Sequence, residues 1–152
     1  MEPEEKKQPN LAELYAGEQK RVEELRKLAY SLMPQDAVVI IEKAKQSGIQ
    51  PYTIQVGDDF FVYRTISRLE YKTLLVEQAQ QAEQLMANAP TPTVGRVTVN
   101  TKNEDALVLR CTLYPEITAL NINQHPAGAI ETLNNAIMAS SGFGQEPIPI
   151  KL

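Results

Sequence analysis

Hydrophobic residues near the start of the chain recur every three or four positions, which is the spacing of one face of an α-helix. The stripe runs through Leu11, Leu14, Tyr15, Glu18, Val22, Leu25, Leu28, Ala29 and Leu32. Asn10 supplies an N-cap and Pro34 a stop, so the pattern predicts a helix of about twenty residues. The stripe suits packing on the rest of the chain, or docking on a partner chain or a second copy.

The length of this stripe exceeds what one small core needs, so we expect it to carry a partner contact. The candidate contact residues are Leu14, Val22, Leu25 and Leu32.

Beyond this helix the pattern predicts a second helix and then a hairpin. Asp36 can cap a short helix that ends at Gly48, although the β-branched run 38–41 also suits a strand. Residues 52–56 and 60–64 are rich in β-branched and aromatic side chains, and the Gly-Asp-Asp between them provides turn chemistry. We therefore expect an antiparallel β-hairpin.

A capping box follows the hairpin. Ser67 and Glu70 stand three residues apart, as reciprocal capping of a helix N-terminus requires, and the helix is predicted to run to about Met86. Arg64 and Arg68, which flank this cap, could bind an anion at the helix N-terminus. We favour the alternative, in which they pair with carboxylates such as that of Glu70. The candidate contact residues of this region are Arg64, Arg68 and Tyr71.

The second half of the chain has one ambiguous stretch and two predicted helices. Residues 94–101 alternate in polarity, which fits a third strand or a flexible excursion. Asn103 can cap a helix over 104–114, although a buried strand around Leu107 is the competing interpretation. The last helix begins at Pro126 or Ala127, ends near Ser141 and is expected to bury Ile130, Leu133, Ile137 and Met138.

These elements predict an α+β fold: a mostly helical single domain with a small antiparallel hairpin and a long N-terminal amphipathic helix. The domain spans 11–143. Residues 1–10 are predicted to be a disordered N-terminal tail, and 144–152 an extended C-terminal tail that could lie across a neighbour.

Composition narrows the class of protein. The chain has 152 residues with 43% hydrophobic content, enough for one buried core, and 15 basic against 19 acidic residues. The net charge of −4 argues against a nucleic-acid surface, which needs clustered Lys and Arg. The N-terminal ten residues are acidic and polar, unlike a signal peptide, and no run of about 18 apolar residues is present. We expect a cytoplasmic protein.

Candidate catalytic chemistry is sparse. Cys111 is the only cysteine and His125 the only histidine, and nothing near His125 supplies a third metal ligand at helical spacing. Cys111 lies in an apolar segment, where we expect a buried and inert thiol. The sequence therefore predicts no catalytic site, no metal site and no cofactor.

Five short segments occur in an order that resembles a known group. They are 60–64 (Phe-Phe-Val-Tyr-Arg), 66–71 (Ile-Ser-Arg-Leu-Glu-Tyr), 110–115 (Arg-Cys-Thr-Leu-Tyr-Pro), 126–128 (Pro-Ala-Gly) and 141–143 (Ser-Gly-Phe). Their succession resembles small tail and baseplate assembly proteins of contractile-tailed bacteriophages. In that group a hairpin ending in Tyr-Arg leads into a helix beginning Ser/Thr-Arg-x-Glu-Tyr, followed later by Cys-x-Leu-Tyr-Pro and Ala-Gly.

The resemblance covers roughly residues 52–143 and departs from the group in the leading helix and in 90–102. It implies a non-enzymatic role, as an assembly chaperone or a minor virion subunit. Its implied partners are other phage tail or baseplate proteins or a second copy, with no nucleic acid, membrane or small-molecule substrate. It implies a location in the host cytoplasm or the virion. The alternative is a small cytosolic adaptor or regulatory domain that uses the same binding logic.

Overall fold

A computed structural model describes residues 11–144 and Lys151, except for the side chains of Leu11, Leu14 and Tyr15. The elements are α1 (Leu11–Leu32), α2 (Gln35–Gln46), β1 (Pro51–Val56), β2 (Asp59–Arg64), α3 (Arg68–Asn88), α4 (Pro92–Cys111), β3 (Thr112–Tyr114) and α5 (Ala127–Ser140). A short 3-10 helix, Ile122–Gln124, precedes α5. The predicted α+β class is confirmed. The predictions for both tails concern 1–10 and 144–152, which lie outside the described residues apart from Gly144 and Lys151.

The sheet is antiparallel, in the order β1-β2-β3, so β2 is its central strand. The predicted hairpin is confirmed: Tyr52 pairs with Tyr63, and Gly57 takes a positive φ of 62° in the turn, where a residue without a Cβ is favoured. Successive side chains of a strand point to opposite faces. Phe61 and Val62 are both buried, so both faces of β2 are covered.

The main core lies on one face of the sheet, where α3, α4 and α5 pack; this face is called the packed side below. Leu133 and Ile137 of α5 and Val108 of α4 are fully buried there, around Phe61 of β2. The spacing of four between the two α5 residues places them on one helix face. The prediction of a last helix with this buried face is confirmed.

The opposite face of the sheet, called the open side below, carries much less packing. Ala37 and Ile41 of α2 cover Val62, which confirms the helical interpretation of this segment. Tyr30 and Met33, at the C-terminal end of α1 and just beyond it, pack against this small cluster. Apart from Tyr30 and the half-buried Ala29, the described side chains of α1 are exposed, so the helix extends beyond the core.

The prediction for residues 94–101 is wrong, because they lie inside α4. Thr91 caps that helix by accepting a hydrogen bond from the Val94 amide at 3.2 Å, and a proline takes a first-turn position. The Thr98 hydroxyl bonds the carbonyl oxygen of Val94, four residues earlier, at 2.8 Å. Packing against α3 also favours the helix: a Cβ added to Gly95 would lie 2.7 Å from the sulfur of Met86.

The predicted helix over 104–114 is wrong at both ends. The observed helix, α4, begins at Pro92, so Asn103 lies inside it and is not its N-cap. It ends at Cys111, and Thr112 and Tyr114 pair with Tyr63 and Val62 as β3. The third strand therefore exists, but it lies after α4 and not at 94–101. None of the described helices has both the length and the hydropathy of a membrane span.

Candidate functional site

A groove of about 700 Å³ lies on the open side, between the second half of α1 and the β-hairpin. One wall is the apolar stripe of α1, and the floor is formed by residues of β1, β2 and α2. The lining residues include Val22, Leu25, Leu28, Leu32, Ile41 and Phe60. It is a concave, mostly apolar surface, and we treat it as the candidate functional site.

The α1 wall of the groove is unusually exposed for its composition. Val22, Leu25, Leu28 and Leu32 leave 48%, 65%, 55% and 57% of their surface accessible to solvent. All four belong to the predicted stripe, and three of them, Val22, Leu25 and Leu32, are predicted contact residues that the structure brings together in the groove. The side chain of the fourth predicted residue, Leu14, lies outside the described part.

The charges along the groove have one sign. Arg26 and Lys45 line it, and no acidic side chain is among the described residues that do so. Arg26 makes a loose contact of 3.4 Å with Glu23, where both side chains are more than half exposed. The Lys45 ammonium donates to the Tyr30 hydroxyl at 2.9 Å and lies 5.4 Å from the centre of that ring.

The outer edge of β1 forms the other rim of the groove. In the described structure the backbone of β1 pairs with β2 alone, apart from the Pro51 carbonyl, which accepts from the Gln50 side chain at 3.0 Å. The segment 46–57 contains no charged residue. Sequence reasoning predicted the hairpin but missed this open edge, and the twelve uncharged residues are the signal that could have revealed it.

The second predicted contact region contains an ion pair of the packed side. The Arg64 guanidinium donates two parallel hydrogen bonds to the Glu70 carboxylate, both of 2.9 Å, and a further one of 3.3 Å to the Arg110 carbonyl oxygen. These bonds raise the pKa of Arg64 and lower the pKa of Glu70. The expected pairing of an arginine with Glu70 is confirmed, and it ties β2 to α3 and α4.

The other residues of this region divide between internal and exposed positions. The Ser67 hydroxyl accepts from the Glu70 amide at 3.2 Å, so the predicted N-cap is confirmed. Tyr71 packs against Phe143, with ring centres 4.7 Å apart. Arg68 is exposed, and the structure gives it no ion pair with any described residue. Of the three predicted contact residues here, Arg68 alone presents a charge free of intrachain pairing.

Cys111 and His125 form no reactive site in the described structure. Cys111 is fully buried, as predicted, and burial raises the pKa of its thiol, which disfavours the nucleophilic thiolate. His125 is half-buried, with its ring against the edge of Phe61 at 6.2 Å. Among the described residues, no cluster of three His, Cys, Asp or Glu side chains is placed to hold a metal ion.

No known protein family, curated protein or solved structure matches this chain. Similarity to characterised proteins therefore assigns it no function, and the groove is the feature from which a function must be inferred.

Proposed function

We propose that this chain is a non-enzymatic protein-binding component of bacteriophage tail or baseplate assembly, acting as an assembly chaperone or as a minor virion subunit. The groove between α1 and β1 carries the protein-binding part of the proposal. A contiguous set of half-exposed leucine and valine side chains beside an uncharged strand edge is typical of a surface that another protein chain covers.

The order of short motifs along the chain supports the phage part of the proposal. Phe60–Arg64, Ser67–Tyr71 and Arg110–Pro115 lie on β2, at the start of α3 and at the junction of α4 and β3, and their Arg64, Glu70 and Arg110 are joined by hydrogen bonds. The motifs that resemble phage assembly proteins thus build the scaffold that supports the groove. Such a protein would act in the host cytoplasm and, if it is a structural subunit, remain in the virion.

The alternative is a small cytosolic adaptor that binds its partner in the same groove. The groove supports both proposals equally, since its chemistry specifies a protein chain and not the source of that chain. The identity of the neighbouring genes separates them: tail or baseplate genes on either side favour the phage role.

The experiment that tests the proposal is co-expression of the tagged chain with the products of its neighbouring genes, followed by affinity capture. Leu25→Asp places a charge in the groove at an exposed position, so we expect capture to be lost while the circular dichroism spectrum is retained. Val76→Asp is the matched control, because Val76 is 58% exposed in the middle of α3 and does not line the groove. Capture by the Leu25→Asp chain at the wild-type level would refute the groove as the binding site.

A further inference from the structure

We propose that a second copy of this chain occupies the groove: β1 pairs antiparallel with β1 of the other copy, and the two α1 helices cover the junction. This inference rests on the proposed function and deepens it: the chain that docks in the groove is a second copy, and the neighbouring gene products are captured by the dimer, so Leu25→Asp removes both. Four observations carry it: the unprotected edge, the symmetry of the strand, the position of α1, and the size of the surface.

The two edges of the sheet differ in how they are protected. Exposed strand edges in proteins are normally kept from pairing by short length, charged side chains, proline or a bulge. β3 is three residues long, is followed directly by Pro115, and pairs with β2 through an irregular register. β1 is six residues long and lies in the uncharged segment 46–57, with a proline only at its first position. Of the two edges, β1 is therefore the one left open for strand addition.

The sequence of β1 is compatible with pairing to itself. A two-fold axis perpendicular to the sheet keeps the same face upward in both copies, so Thr53 or Ile54 lies opposite its own counterpart. Opposed like charges destabilise antiparallel pairs, and β1 has no charge to oppose. The same axis places both α1 helices on the same face of the joined sheet, where each presents Leu25 and its neighbours toward the junction.

The surface available is close to what a stable dimer needs. Ile41 and Val62 are buried, so sixteen of the residues that line the groove can contact a partner, against roughly 20–30 residues on each side of a standard interface. Strand pairing adds backbone hydrogen bonds to this surface, and the half-exposed residues Val22, Leu25, Leu28 and Leu32 supply the apolar centre that such interfaces contain.

The test is the mass of the full chain in solution, measured by light scattering after size exclusion over a wide range of concentration. We expect twice the 17.0 kDa of the single chain. Leu25→Asp is expected to weaken association at least about 30-fold, the usual effect of removing a central apolar anchor. Thr53→Lys is expected to act in the same direction, because it places two ammonium groups beside the axis. Val76→Asp, outside the groove, is expected to stay dimeric.

Circular dichroism is measured for every variant. If Thr53→Lys fails to fold, Gln55→Lys, at an exposed position of the same edge, replaces it. A wild-type chain that is monomeric at every concentration overturns the inference. A dimer whose mass is unchanged by Lys in β1 overturns the strand pairing, and one unchanged by Leu25→Asp overturns the role of α1.

The failure of this inference can be told apart from the failure of the proposed function. A monomer that still captures a product of a neighbouring gene refutes the second copy and leaves the function standing. A dimer that is disrupted by both groove variants, but captures none of those products, supports the inference and refutes the function.

Discussion

Helices α1 and α5 share the same apolar periodicity but differ in how far their apolar faces are buried. In α5 the apolar face, including Leu133 and Ile137, is buried between the sheet and α4, whereas in α1 Leu25 and Leu32 remain more than half exposed. The two helices differ in position, because α5 crosses the packed side and α1 extends beyond the small cluster on the open side. Periodicity therefore identifies an apolar helix face, and the tertiary position decides whether the same chain buries that face.

Polar contacts follow the same division. On the packed side, the Tyr63 and Ser140 hydroxyls lie 2.7 Å apart and the Ser141 hydroxyl accepts from the Ile66 amide at 3.0 Å, which fastens α5 to the hairpin. On the open side, α1 contacts the rest of the described chain by a hydrogen bond between exposed Lys45 and Tyr30. The packed side thus carries most of the fold, and the open side carries the proposed binding surface.

Truncation of one leucine on each side tests this division most strongly. Leu133→Ala removes a fully buried side chain and is expected to lower the free energy of unfolding by about 2–5 kcal/mol. Leu25→Ala, at low concentration where the chain is a monomer, is expected to change it by no more than about 0.5 kcal/mol. Urea denaturation followed by circular dichroism measures both. Equal losses would show that α1 belongs to the core and that the division is mistaken.

The elements that local chemistry determines could be predicted from sequence. The cap at Ser67, the turn at Gly57 and the apolar faces of α1 and α5 each depend on residues close together in the chain, and the structure confirms them. The groove required knowing where α1 lies against β1, which is a long-range arrangement that no local pattern contains. The stripe of α1 predicted the apolar wall of the groove. The other wall, at the edge of β1, was not predicted.

Helix α4 shows how the alternation of valine and threonine misleads. Residues 94–101 carry the period of two that indicates a strand, yet the helix forms because Thr91 and Pro92 start it and because Gly95 allows α3 to approach closely. The Thr91-Pro92 pair was a helix-start signal that the alternating pattern outweighed. The strand at Thr112 was missed because three residues are too few to establish a period.

A serine hydroxyl on each side provides a second test of this division, with a smaller expected effect on stability. Ser67→Ala removes the side chain that accepts from the Glu70 amide, and it is expected to cost about 0.5–2 kcal/mol of unfolding free energy while the fold is kept. Ser31→Ala is the control on the open side, because its hydroxyl bonds a carbonyl of the same exposed helix. We expect a negligible change there. A loss at Ser31 as large as that at Ser67 would contradict the comparison.

The ion pairs on the two sides should differ less than the two serines do in their contribution to the free energy of unfolding. Glu70→Gln weakens the two hydrogen bonds from Arg64 and is expected to cost about 0.5–1 kcal/mol, the upper part of the range for a partly exposed pair. Glu23→Gln, which disturbs the loose contact with Arg26, is expected to cost nothing measurable. Chemical denaturation at pH 7 gives both values.

The pH dependence of the Glu70 variant follows from the sign of its pKa shift. Hydrogen bonding from Arg64 lowers the pKa of Glu70 in the folded chain, so its stabilisation is fully present above the unfolded value of about 4.3. That stabilisation is lost as the pH falls from there through the lower folded value. The difference between wild type and Glu70→Gln should therefore shrink below about pH 4.3. A difference that grows on acidification would show that the carboxylate is not the stabilised form.

Arg68→Ala is expected to have the smallest effect on stability, and this variant tests partner binding instead. Arg68 is exposed and makes no ion pair with the described residues, so the free energy of unfolding should change by less than about 0.5 kcal/mol. In contrast, Arg64→Ala breaks the internal pair and should lower the free energy of unfolding measurably.

A charge at the rim of an interface mainly accelerates encounter. If the cap region belongs to the partner surface, Arg68→Ala slows association with a captured partner by a few-fold, more at low salt than at high salt, and leaves dissociation unchanged. Surface plasmon resonance at two ionic strengths measures this. Unchanged association at both ionic strengths would confine binding to the open side and make the division between the two sides complete.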